Sequence, residues 1–124
     1  MTPSRSVPAR PDARRERQVD LLYFRGCPSH EAFLPRLRSL LAGSGVAASL
    51  RLVEIRTDDD ARRERFVGSP TVRVDGIDVE PSAVARSGYG MQCRLYHTDA
   101  GISGTPTDDQ VLAALQHRVA TDPR

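Results

Sequence analysis

The sequence predicts an α/β domain built in the order β-α-β-α-β-β-α, a four-stranded mixed sheet flanked by helices. Three observations predict it. A β-rich run, Val19-Asp-Leu-Leu-Tyr-Phe24, breaks at Arg25-Gly26 and passes straight into Cys27-Pro28 and a helical apolar period. An Asp75-Gly76 pair stands between two short β-rich runs, a strong hairpin signal. Thr107 precedes an apolar stripe with Gln110 three residues on, the pattern of a capping box. The first two strands enclose a helix and are expected to be parallel, whereas the last two form a hairpin.

Each element has a local reason. Pro28 suits the first position of a helix, where its missing N–H would have no partner. Phe33, Leu37, Leu40 and Leu41 then recur at helical spacing and Gly43 offers a stop; Pro35 inside this helix is expected to kink it. A second strand runs from about Ala48 to Ile55. Thr57-Asp58-Asp59-Asp60 caps a short polar helix from about Asp59 to Phe66, with acids at its positive end and an i,i+4 pair such as Asp58–Arg62. The hairpin joins Thr71–Val74 to Ile77–Glu80. Residues 81–106 are Gly-rich and read as a long irregular loop, of a kind usually functional or mobile. Gly88, Gly90, Gly101 and Gly104 make it adaptable, and it is a candidate lid over Cys27. In the closing helix, Val111, Leu112, Leu115 and Val119 form the buried stripe.

The bulk composition bounds the function. A chain of 124 residues has room for one domain with one modest core. Hydrophobic residues make up 39% and charged residues 27%, ordinary for a soluble globular protein. No apolar run approaches the ~20 residues of a membrane helix, so no membrane partner is expected. The basic N-terminus has no apolar segment behind it to make a signal peptide, and the expected location is cytoplasmic. Residues 1–18 carry Pro, Ser, Arg and acids with almost no apolar content and read as a flexible basic tail; the domain is expected over residues 19–124. Every basic residue is arginine, which has no structural cause and reads as a coding bias. A net charge of +2 is too small to indicate nucleic-acid binding.

Two cysteines, Cys27 and Cys93, carry the chemistry. They lie far apart and form no Cys-x-x-Cys pair, so neither a zinc ribbon nor a disulfide framework is indicated. Cys27 begins a helix, where unpaired N–H groups and the helix dipole favour thiolate. His30 shares a helix face with it and could hydrogen-bond or ion-pair with the sulfur, and Ser29 adds a hydroxyl nearby. Cys93 is either a half-buried thiol packed with Met91, Leu95 and Tyr96, a resolving thiol for Cys27, or a second soft ligand. His97 and His117 read as surface residues.

The element order resembles the thioredoxin fold. Strand, Gly26-Cys27-Pro28 and helix look like that family's nucleophile position, and Gly68-Ser69-Pro70-Thr71-Val72 looks like its cis-proline loop. The resemblance implies that Ser69 and Pro70 flank Cys27, with the Ser69–Pro70 bond cis, and it covers about Val19 to Ala120 apart from the loop holding Cys93. The Gly-Cys-Pro, Gly-Ser-Pro-Thr-Val-Arg-Val-Asp-Gly and Cys-Arg-Leu-Tyr segments further resemble a group of bacterial thioredoxin-like proteins, some of them labelled as related to alkylmercury lyase. The second thioredoxin cysteine is replaced here by His30, so a dithiol cycle within the motif is impossible.

Three functions are therefore expected to compete. The first is thiol–disulfide exchange without a cofactor, with Cys27 attacking and Cys93 resolving, on a protein or small-molecule thiol or disulfide; Pro28, Ser29, Ser69, Pro70 and Tyr89 would line the substrate. The second is soft-metal or organomercurial handling, with Cys27, Cys93 and His30 as donors to mercury or copper. The third is a non-catalytic binding or adaptor role on the same fold. Oligomeric state is not readable.

Overall fold

The computed structural model describes residues 16–117 and gives a mixed α/β architecture. Its elements are β1 (Arg17–Tyr23), α1 (Pro28–Gly43), β2 (Ala48–Glu54), α2 (Asp58–Glu64), β3 (Thr71–Val74) and β4 (Ile77–Asp78). They are followed by a 3₁₀ turn (Pro81–Ala85), a second hairpin of β5 (Tyr96–Thr98) and β6 (Gly101–Ser103), and α3 (Asp108–Gln116). The main sheet is mixed, in the order β2-β1-β3-β4. β1 pairs parallel with β2, from Arg17 opposite Ala48 to Tyr23 opposite Glu54, and antiparallel with β3, Leu21 opposite Val72.

β1 lies inside the sheet, which is why its sequence reads as a nearly continuous apolar run: it is covered on both faces. Val19 and Leu21 join Phe33, Leu37, Val72, Val74, Tyr96, Val111 and Leu115 in the larger core beneath α1 and α3. Leu22, on the alternate side, joins Ile55, Ala61 and Phe66 in a smaller core with α2. Of the stripe expected on α1, Phe33 and Leu37 are fully buried, while Leu40 and Leu41 pack half-buried at the edge of the core.

The cap chemistry follows the sequence. The Thr57 side chain accepts the Asp60 N–H. The Thr107 hydroxyl accepts the Gln110 N–H at 3.0 Å, while the Gln110 side chain accepts the Thr107 N–H at 2.9 Å. Pro35 stays within one uninterrupted helix.

Several boundaries and pairings differ from expectation. Arg17 and Gln18, expected in the tail, belong to β1, because the Gln18 N–H donates to the Asp75 carboxylate and Arg17 pairs with the same group. Residues 1–15 of the expected tail, and Val119, lie outside the described residues. α2 stops at Glu64 rather than Phe66: Arg65 turns left-handed at φ 54°, and Phe66 leaves the helix to enter the core. The acids of α2 pair at i,i+3, Asp59 with Arg62 and Asp60 with Arg63, and not as Asp58–Arg62. The 81–106 segment is not irregular throughout; it holds the 3₁₀ turn, the β5–β6 hairpin and a parallel bridge between Ser69 and Cys93. Among the described residues no helix is long and apolar enough to cross a membrane.

Candidate functional site: a helix-tip thiol against the Ser69–Pro70 turn

Cys27 is the N-cap of α1, with extended backbone (φ −79°, ψ 108°) and Pro28 as the first helical residue. Its N–H donates back to the Phe24 carbonyl at 3.3 Å, and Gly26 takes a φ of 86° to make that tight turn from strand to helix. The Cys27 thiol points at the turn before β3, where Sγ lies 3.8 Å from the Ser69 carbonyl oxygen. The Ser69–Pro70 peptide bond is cis. Cys27 is only 1% exposed and Ser69 is fully enclosed.

The Gly68–Thr71 turn is held from behind by the second half of the chain. The Ser69 N–H donates to the Gln92 carbonyl at 2.8 Å, and the Arg94 N–H donates to the Ser69 carbonyl at 3.0 Å. Cys93, between those two contacts, is therefore bridged to Ser69 through its neighbours' backbone, with its own side chain exposed. Gly68 makes this approach possible: at φ 138°, a Cβ there would lie 2.8 Å from Arg94 Cβ and 2.9 Å from Arg94 Cα.

Arg94 is the feature that sequence reasoning missed. Its side chain is fully buried and makes a two-pronged contact with Asp78, 2.6 and 2.8 Å. It also donates to Glu80 at 3.1 Å and to the Thr71 hydroxyl at 3.2 Å, and its guanidinium lies 4.1 Å above the Tyr96 ring. Tyr96 in turn donates its hydroxyl to the Pro70 carbonyl at 2.6 Å. Glu80 also accepts from Arg86 at 3.0 Å and from the His97 N–H at 2.9 Å. Burial pushes the Glu80 carboxyl up, but the His97 N–H, Arg94 and Arg86 outweigh it and leave its pKa below the usual value. Burial holds the Tyr96 phenol well above its ordinary pKa, so it stays a hydroxyl donor. A buried arginine among three acceptors could have been suspected from Asp78 and Glu80, two acids on the same side of a β-rich run with Val79 between them, and from Arg94 inside the apolar Cys-Arg-Leu-Tyr segment.

The other candidates are placed less centrally. His30 does not contact the Cys27 sulfur. Its Nδ1–H donates to the Cys27 carbonyl at 3.0 Å, and its ring stacks on Tyr23, 4.1 Å between centroids and 13° from parallel. The reason is helical geometry: a side chain three positions on in the first turn reaches back to the N-cap carbonyl, while the sulfur points to the sheet. Ser29 faces the stretch after β6, since a Cβ on Gly104 would lie 3.2 Å from Ser29 Oγ. That stretch is fastened to α1 by Arg36, which donates to the Pro106 carbonyl at 2.5 Å and pairs with Asp108 at 2.9 Å. Pro28 is exposed at the helix tip. Tyr89 lines a separate hollow of about 530 Å³ with Arg65, Arg73 and Arg86, and none of the other candidates reaches it. Cys93 is exposed and not half-buried, because its neighbours Arg94 and Tyr96 take the inward positions. His97 and His117 are exposed, as expected. Among the described residues no three His, Cys, Asp or Glu side chains converge as a metal site, so Cys27, Cys93 and His30 are not gathered into one donor set.

Fold and site together define a mixed α/β domain in which a helix-tip thiol meets a cis-proline turn. Comparison of the chain with protein-family models, curated proteins and solved structures finds no match.

Proposed function

We propose that the protein is a thiol–disulfide exchange protein of thioredoxin-like type, in which Cys27 and Cys93 form the working pair across Ser69. The observation that carries this reading is the shared carbonyl of Ser69: it takes the Cys27 thiol at 3.8 Å and the backbone N–H that follows Cys93 at 3.0 Å. A disulfide needs its two Cα atoms within about 4.4–6.8 Å, and the pairing is supported by the one acceptor to which both segments come.

Exposure orders the steps. Exchange requires an accessible thiolate, and Cys93 is exposed whereas Cys27 is 1% exposed. Cys93 is therefore the entry thiol, the reverse of the order expected from the helix-tip position alone. The Cys93 thiolate attacks one sulfur of a substrate disulfide; that S–S bond breaks and the first thiolate leaves. The Cys27 thiolate then attacks the Cys93 sulfur, forming Cys27–Cys93 and releasing the second thiolate. The substrate gains two electrons and the protein loses two; the two protein-thiol protons pass to the released thiolates. An external dithiol reverses the cycle by the same exchange.

The test is chemical. Reduced protein is treated with bis(2-hydroxyethyl) disulfide, quenched in acid and mapped by peptide mass. The expected products are a Cys27–Cys93 bond in the wild type and a mixed disulfide on Cys93 that persists in Cys27→Ser. If both thiols stay reduced, or if the mixed disulfide resolves equally well without Cys27, the reading is wrong.

A further inference from the structure

Strands β1 and β2 run parallel and end side by side at Tyr23 and Glu54. Ligands of open α/β sheets gather beyond the carboxyl ends of such strands. Here that place is a cleft of about 460 Å³ lined by Arg25, Glu54, Ile55, Arg56 and Met91. Two of its walls belong to the segments that carry the thiols: Arg25 is two residues before Cys27, and Met91 two residues before Cys93.

The charge of the cleft is unbalanced. Arg25 and Arg56 share a single carboxylate, Glu54, at 3.9 and 3.4 Å, and neither contact is two-pronged. Both guanidinium groups face solvent, with side chains 88% and 74% exposed. Each keeps N–H groups free for a planar anion, the geometry at which arginine excels. Met91, 41% exposed, adds a polarizable apolar wall on the Cys93 side. A cleft of this volume suits a small organic group rather than an element of another protein.

We infer that this cleft receives the anionic arm of a low-molecular-weight disulfide, so that the substrates of the exchange are small disulfides bearing carboxylates. The inference rests on the exchange reading above and adds the substrate class to it. Arg25 and Arg56 hold the carboxylate, Met91 packs on the carbon chain, and the substrate sulfur is presented to Cys93. The bonds made and broken are those already given: the small disulfide is reduced to two thiols, and Cys27 and Cys93 are oxidised to one disulfide.

The experiment compares three small disulfides of similar size on the full reduced chain: dithiodiglycolate (anionic), bis(2-hydroxyethyl) disulfide (neutral) and cystamine (cationic). Oxidation is followed by quenched intact mass at low and high salt. At low salt the anionic disulfide is expected to react at least about tenfold faster than the cationic one. That ratio should fall toward one in the Arg25→Gln, Arg56→Gln double variant and in high salt. Equal rates for the three, or an anion preference that survives the double substitution, would overturn the inference and leave the exchange reading standing. Failure of all three to oxidise the protein would remove both.

Discussion

Cys27 Sγ lies 3.8 Å from the carbonyl oxygen of Ser69, and that oxygen also accepts the Arg94 N–H at 3.0 Å. One buried acceptor thus joins the tip of α1, the turn entering β3 and the segment carrying the second thiol. Ser69 contributes its backbone carbonyl to the joint, so Ser69→Ala keeps the acceptor, whereas changes that push the two chain segments apart do not.

The two thiols are expected to differ sharply in access. In native, reduced protein, iodoacetamide should modify Cys93 first and Cys27 on the order of a hundredfold more slowly, since a 1% exposed sulfur reacts only after local opening. Time-resolved peptide mapping checks this, and denaturant should bring the two rates together. Comparable native rates would mean that the turn does not close over Cys27 in solution.

Gly68→Ala tests the close approach directly. A Cβ at this position would meet Arg94 Cβ at 2.8 Å, on a backbone of φ 138° that L side chains rarely adopt. A loss of roughly 2 kcal/mol or more is expected in urea denaturation. Cys27 labelling should accelerate in the same variant, because the Ser69 carbonyl is drawn away from Arg94.

Arg94→Met should cost about 3–5 kcal/mol, because it leaves the Asp78 carboxylate without its cation and the enclosed Glu80 with Arg86 alone. Lysine in its place recovers only part of this, as a single ammonium cannot make the two-pronged contact. Adding Asp78→Asn and Glu80→Gln to Arg94→Met should return some of the lost stability, since the uncompensated charges are then gone. Urea midpoints across the series measure the coupling.

Glu80 predicts the acid limb of the stability curve. Its folded pKa is lowered, so the folded state binds its proton less readily than the unfolded chain. Its contribution is therefore complete above the ordinary glutamate value of about 4.3 and is lost as pH falls through the folded value. Glu80→Gln should be less stable than wild type at neutral pH, yet lose less stability between about pH 5 and pH 3. Parallel urea curves at those pH values decide it; identical slopes would contradict the assignment.

Much of this fold was legible because its signals are local. The Thr107–Gln110 capping box, the Asp75-Gly76 hairpin and the Pro28 helix start each depend on contacts within a few residues, and each lies where the sequence indicates. The pairing of Ser69–Pro70 with Cys27 was anticipated through family resemblance, not through any local signal. The acids of α2 show the limit of local rules: an i,i+4 pair such as Asp58–Arg62 was expected, and the helix pairs Asp59 and Asp60 at i,i+3. His30 shows it again, because a shared helix face does not determine which atom of Cys27 the ring reaches.

By itself, then, the sequence determined the order of the elements through the first hairpin and the closing helix, though not the β5–β6 hairpin between them, together with the caps, the strand-to-helix placement of Cys27 and the absence of a second thiol in its motif. Only the tertiary structure decided that Cys27 is closed and Cys93 open, that Arg94 is a buried cation, and that the segment around Cys93 folds back on the Ser69 turn. The physical reason is range. Capping and periodicity are energies between neighbours in the chain, whereas burial, the charge balance of Arg94 with Asp78 and Glu80, and the backbone bridge at Ser69 are energies between segments that meet only after the sheet has formed.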